Sequence, residues 1–365
     1  MAKFEFLKAR KTPDFEELKK VIRGEKKAER VHFVELLMDY EIKKAVTEQY
    51  LGEKWIDPAE NNKADYIKQD INFWYHLGYD YARISGGIKF PGKGRKTEDT
   101  AILSKGKRNW VEENTGMITN WEEFERYPWQ KKEDIDYSAY EIASKNLPDG
   151  MKLLVCPSSG VFEIASEVLL GFENMSYLIA ENYELVQAVF DKTGEIIYEF
   201  YRNVVEIDNV EGFFQGDDLG FKTSTFLSPH HLKRLVIPWH KKFAELAHQK
   251  GKMYWFHCCG NILNVIDDFI HSVKIDAIHS FQDEVIPVWK FKQMYGNKTA
   301  LLGGVDVDKL SRLDEPNLRK YVKAILQKCM PYRYALGSGN SVANYIPVEN
   351  YLIMLDEGWI FTTKS

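Results

Sequence analysis

Four cysteines scattered through 365 residues are too few for a disulfide scaffold and point to reduced thiols. No apolar run approaches the roughly eighteen residues that a membrane span needs, although 44% of the chain is apolar. The N-terminus lacks the long apolar segment and small-residue cleavage site of a secretory signal, so the expected location is cytoplasmic. The net charge is −5, and only residues 89–107 are locally basic, which leaves no electrostatic footprint for nucleic acid. Phosphate-cradling and nucleophile motifs are missing too: there is no Gly-x-Gly-x-x-Gly after a strand, no Walker loop and no Gly-x-Ser-x-Gly elbow.

What the chain does have is alternation. Short apolar segments at 31–37, 79–85, 152–156, 210–215, 253–259, 275–281, 299–304 and 332–336 read as strands, and helical patterns separate them. Eight such pairs with no linker and no repeat predict an α/β fold, a single (β/α)8 TIM barrel over residues 1–365. One stretch, 86–150, is rich in Gly, Pro, Lys and Trp and reads as a long lid-like insertion after the second strand, with a hairpin over 100–117 and a short helix over 121–127. Its Trp110, Trp121, Tyr127 and Trp129 either line a pocket or pack the insertion onto the barrel. Further along, Ser228-Pro229 opens a long helix to about residue 250, and a closing helix over 347–356 is expected to stop at Gly358.

Barrel chemistry gathers at the C-terminal ends of the strands. Here those ends are polar: Glu35 and Asp39, Arg83 and Ser85, Ser158 and Ser159, Asp217 and Asp218, His257 and Cys259, Gln282 and Asp283, Asp306, then Ser338 and Asn340. Asp283 and Asp306 read most simply as helix caps. In Phe256-His257-Cys258-Cys259-Gly260, alternation sends His257 and Cys259 to one side and Cys258 to the other. An imidazole and a thiolate on one face are half of a zinc site; the plain alternative is a pair of buried thiols beside a hydrogen-bonded histidine. A third ligand is sought among Asp217, Asp218, Cys156, Gln282 and Ser338, whereas Cys329 precedes the last strand and falls at the opposite face. The Asp217-Asp218 pair is also the candidate acid or base, since adjacent carboxylates need a proton, cation or donor between them.

Several strings resemble the uroporphyrinogen decarboxylase superfamily: Gly216-Asp217-Asp218-Leu219-Gly220, Leu227-Ser228-Pro229, His257-Cys258-Cys259-Gly260-Asn261, Gly303-Gly304-Val305-Asp306 and Pro347-Val348-Glu349-Asn350. The decarboxylase's own arginine-rich stretch is matched by Leu36-Leu37-Met38-Asp39, its substrate-holding aspartate by about Gly86, and its late histidine by Ser338, so porphyrinogen decarboxylation is not expected. The His-x-Cys-Gly string is similar to that of the zinc-dependent corrinoid methyltransferase branch, which usually supplies a further cysteine where Ser338 stands here. The resemblance implies zinc on His257 and Cys259, a corrinoid (cobalamin) carried by a partner protein, and a small methyl donor or acceptor; the polar strand ends Arg83, Gln282, Ser338 and Asn340 are the candidate substrate-binding residues. It also implies a homodimer, and an aromatic lid would favour O-demethylation of methoxylated aromatics. The alternatives are a decarboxylase-like lyase and a non-catalytic barrel that binds a corrinoid protein or metabolite.

Overall fold

Tyr254, Trp255 and Phe256 are apolar on both faces of one strand, the pattern of a parallel sheet covered by helices outside and packed within. The computed structural model describes residues 4–98, 103, 107–111 and 116–363. Its strands are β1 (Tyr81–Ser85), β2 (Gly94–Glu98), β3 (Lys107–Val111), β4 (Lys152–Cys156), β5 (Val210–Gly216), β6 (Met253–His257), β7 (Ala277–His279), β8 (Ala300–Leu302) and β9 (Tyr334–Ala335). Seven of them form a curled parallel sheet in the order β1-β4-β5-β6-β7-β8-β9, while β2 and β3 make a separate antiparallel pair. The fold is the expected α/β barrel type. Its registers bring Gly216 opposite His257 and His257 opposite His279, so three strand ends meet at one level.

The expected first strand, 31–37, takes its place differently. This segment makes isolated parallel bridges to the chain just after β9, Phe33 to Leu336 and Met38 to Val342. On its other side the Tyr81 hydroxyl accepts from the Glu35 amide at 2.9 Å and donates to the Glu35 carbonyl at 2.8 Å. A side chain inserted between the two backbones thus satisfies groups that a ladder would otherwise pair.

Two helix expectations are corrected. The helix opened by Ser228 breaks into Pro229–Leu235 and Ile237–Gln249, because Pro238 has no N–H and its ring crowds the preceding turn. The closing helix runs over Val348–Thr363, past Gly358. A Cβ on Gly358 would meet Phe33 Cε1 at 2.7 Å and Leu336 Cδ2 at 2.8 Å, so this glycine permits close packing on the barrel and is not a stop signal.

Within 86–150 a hairpin is present but shifted from the expected 100–117: its strands are β2, which lies wholly before residue 100, and β3; residues 99–102, 104–106 and 112–115 lie outside the described residues, as does the Trp110 side chain. The short helix is Trp121–Arg126, capped by Asn120. Trp121 and Trp129 each pack against Phe124, and Tyr127 packs against Trp129. These contacts of Trp121, Tyr127 and Trp129 lie within the insertion itself.

Candidate metal centre at the barrel mouth

His257 ends β6, and Cys259 follows two residues on along the same face. Their Nε2 and Sγ atoms stand 3.4 Å apart. Asp218, at the end of β5, brings Oδ1 to 3.5 Å from His257 Nε2 and accepts from the Cys259 amide at 2.7 Å. One ligand atom each from Asp218, His257 and Cys259 lies within 4.8 Å of the other two. Of the candidates for a third ligand, the structure brings Asp218 to the pair. Cys258 faces away, 3% exposed, and its sulfur accepts from the Leu219 amide at 3.2 Å. Gly260 takes φ +78° and sits so near the Gly220 backbone that a Cβ would overlap it at 2.3 Å, which holds the Cys259 turn against the β5 loop.

Hydrogen-bond bookkeeping sets the histidine tautomer. His279 Nε2 lies 3.0 Å from the Ser338 carbonyl, which only accepts, so that nitrogen carries the proton. In the neutral ring His279 Nδ1 is then an acceptor, and the 2.6 Å contact to His257 Nδ1 requires His257 to donate there. His257 Nε2 is left with a free lone pair facing Cys259 and Asp218, the form that binds a metal. Burial and then Arg83 hold the His257 ring down to about 3. Burial, then His257, lowers His279 well below the usual imidazole range. Burial and then Asp218 push the Cys259 thiol well up, while Asn340 Nδ2 donates to its sulfur at 3.1 Å. Burial also raises Asp218, against bonds from Cys259.

Ser338, where the methyltransferase strings carry cysteine, is fully engaged elsewhere. Its amide donates to Glu35 Oε1 at 2.8 Å, and its hydroxyl contacts both Glu35 Oε2, at 2.5 Å, and the Asn340 carbonyl. The single hydroxyl proton goes to the carbonyl, so the Glu35 carboxyl supplies the other proton and is itself neutral. Burial raises Glu35 to about 8, in agreement.

The remaining sequence candidates divide clearly. Asp217 is 0% exposed, accepts from the Phe162 and Glu163 amides at 3.0 Å each and pairs with His240 Nε2 at 2.8 Å, so it anchors the helical turn at 161 and does not face the mouth. Cys156 lines the mouth, with its sulfur on the Ser158 carbonyl. Gln282 lines a separate groove of about 640 Å³ on the far side of Cys259. Asp306 caps the helix Val307–Arg312, as expected of it. Arg83 borders the mouth cavity of about 230 Å³ together with Asp218, His257 and Cys259. None of the described residues of the insertion between 87 and 150 borders that cavity.

Sequence reasoning passed over His279 and Glu163. His279 ends β7, but the expected strand ran on to 281, so the census of strand ends fell on Gln282 and Asp283 instead. Glu163 lines the cavity, and burial followed by Asp218 and Asp217 lifts its carboxyl well above the usual range; only the β5 loop's proximity reveals it.

A parallel barrel with convergent nitrogen, sulfur and oxygen donors at its C-terminal mouth defines the class: a barrel protein built around a candidate metal site. The chain belongs to the uroporphyrinogen decarboxylase (URO-D) family, whose family model matches residues 113–358. A methylated-thiol–coenzyme M methyltransferase from Methanosarcina mazei is 24% identical over 159 residues, 44% of this chain. The matched part spans 40% of that relative's length. A solved methyltransferase structure from Methanosarcina mazei superposes with a TM-score of 0.69 at 14% identity, covering 94% of this chain and 98% of that one, which shows the shared fold. No helix among the described residues is long and apolar enough to cross a membrane.

Proposed function

We propose that this chain is a zinc-dependent methyltransferase that moves a methyl group between a small substrate and a corrinoid carried by a separate protein. The carrying observation is the convergence of Asp218, His257 and Cys259 within 4.8 Å. Carboxylate oxygen, imidazole nitrogen and thiolate sulfur fit a catalytic zinc, which takes three protein ligands and keeps one position open. When bound, zinc supplies Lewis acidity toward the oxygen or sulfur atom that loses or gains the methyl group. The relative that acts on methylated thiols supports the methyl-transfer class.

This chain's own residues supply the rest. His279 keeps the His257 lone pair aimed at the ligand cluster, and Asn340 steadies the Cys259 sulfur by its N–H bond. Asp217 positions the turn that carries Glu163 and leaves reaction contacts to Asp218. Because the insertion's aromatics pack on one another, aryl ethers and thioethers stand as equal substrate candidates.

Metal analysis after zinc loading and dialysis tests the centre. Wild type is expected to keep about one zinc per chain, Cys259→Ala essentially none, Asp218→Asn much less, and Ser338→Ala the wild-type amount. Equally negligible zinc in wild type and Cys259→Ala sinks the metal reading. Loss confined to Ser338→Ala moves the third ligand to residue 338. Methyl exchange with free cob(I)alamin, using methoxyarenes and methyl thioethers, tests the reaction, and silence across that panel overturns it.

A further inference from the structure

Arg83 is the buried arginine among the described residues, 9% exposed. Its Nη1 donates to Ser85 Oγ at 2.8 Å, its Nε has no hydrogen-bond partner, and no carboxylate of the described residues lies within ion-pair distance. The contrast with other arginines is sharp. Arg319, more exposed, holds Glu315, Asp356 and Glu357, and Arg30 holds Asp80. A guanidinium cannot shed its charge by losing a proton, so one held away from water without a counter-ion is costly unless an anion arrives.

Its position says where that anion would sit. Arg83 borders the mouth cavity beside the Asp218, His257 and Cys259 cluster and also an adjoining cavity of about 310 Å³ walled by Met38, Tyr66, Ile67 and Trp74, where Lys43 and Lys63 also stand but are paired with Asp70 and Asp136. Arg83 is the one arginine or lysine among the described residues bordering the mouth cavity, so a carboxylate entering it would sit on the Arg83 side.

We propose that Arg83, with Ser85, is an anion-binding subsite, and that the small molecule taken by this protein is a carboxylic acid whose methylated oxygen or sulfur reaches Cys259. The second half rests on the methyl-transfer reading; the anion subsite stands without it. A forked guanidinium suits a carboxylate bidentately, and the adjoining chamber offers Tyr66, Ile67 and Trp74 to the rest of an acid too large for the mouth.

Calorimetric titration of the purified full chain tests this with two matched pairs: 4-methoxybenzoate against 4-methoxybenzamide, and (methylsulfanyl)acetate against its amide. At least one acid is expected to bind about tenfold or more tightly than its amide. Arg83→Met should abolish that preference while leaving zinc content unchanged, Arg83→Lys should keep part of it, and Ser85→Ala should weaken it. Preference within the aryl pair identifies an ether acid, and preference within the thioether pair a thioether acid. Equal binding of acid and amide, no saturable binding of either acid, or an unchanged preference in Arg83→Met overturns the proposal. If Arg83→Met does not fold, the wild-type ratio and Ser85→Ala still decide. Acid preference without any methyl exchange would leave the anion subsite standing and remove the methyl-transfer reading alone.

Discussion

The two ends of the barrel treat buried charge in opposite ways. At the N-terminal end, just before β1, Asp80 is fully buried yet accepts from the Asp14 amide at 2.7 Å, from Arg30, and pairs with His32 at 2.6 Å. His32 and Arg30 hold its carboxyl below the usual range although burial pushes the other way. At the mouth, three residues further along the chain, Arg83 has no carboxylate partner among the described residues, Glu35 keeps a proton and Cys259 stays a thiol beside Asp218. One network is closed and stabilises the fold; the other is left open to something from outside.

The largest effect should come from breaking the closed end. Asp80→Ala leaves Arg30 and His32 without their carboxylate and should cost about 3–5 kcal/mol in chemical denaturation, with zinc content of the remaining folded protein unchanged. If that loss is under about 1 kcal/mol, the closed network is not what stabilises this end. Because the folded Asp80 pKa is depressed, its contribution is present above the unfolded value of 3.8 and is lost as pH falls through the folded one.

Glu35 works in the other direction. The folded carboxyl holds its proton to about 8, against 4.5 for the free group, so stability falls as pH rises through that window, by roughly 1.4 kcal/mol per unit at most. Glu35→Gln reproduces the neutral acid and should flatten the dependence, as read from denaturation of metal-free protein at pH 5 to 8. Parallel curves for the two proteins would refute the proton assigned to Glu35.

His279→Ala should lower zinc affinity roughly 10- to 100-fold by releasing the His257 tautomer, with partial recovery in His279→Gln; competition with a chromogenic chelator measures it. The smallest change is expected from Arg83→Met. Removing an uncompensated cation should leave stability within about 1 kcal/mol of wild type or raise it, the reverse of Asp80→Ala. A loss as large as that of Asp80→Ala would erase the contrast between the two ends.

Much of this was legible in order along the chain. Strand alternation separated His257 and Cys259 from Cys258, and a census of strand ends found Asp218, Arg83, Ser338 and Asn340 before any coordinates. What misled was punctuation with two physical meanings. Gly358 reads as a helix stop yet serves close packing against Phe33, and Ser228-Pro229 predicts one long helix although Pro238 lies within reach to break it. The adjacent aspartates look equivalent in sequence, but Asp217 is taken up by the 161 turn and His240.

The sequence by itself determined the element order, the barrel class and the His257-Cys259 half of the candidate cluster, because periodicity and residue chemistry are local properties. Only the tertiary structure brought Asp218 to that pair and decided the surroundings of each group. The register that sets His257 beside His279, the β5 loop that delivers Asp218, and the lack of a carboxylate partner for Arg83 among the described residues all depend on residues distant in the chain, and their distances follow from packing.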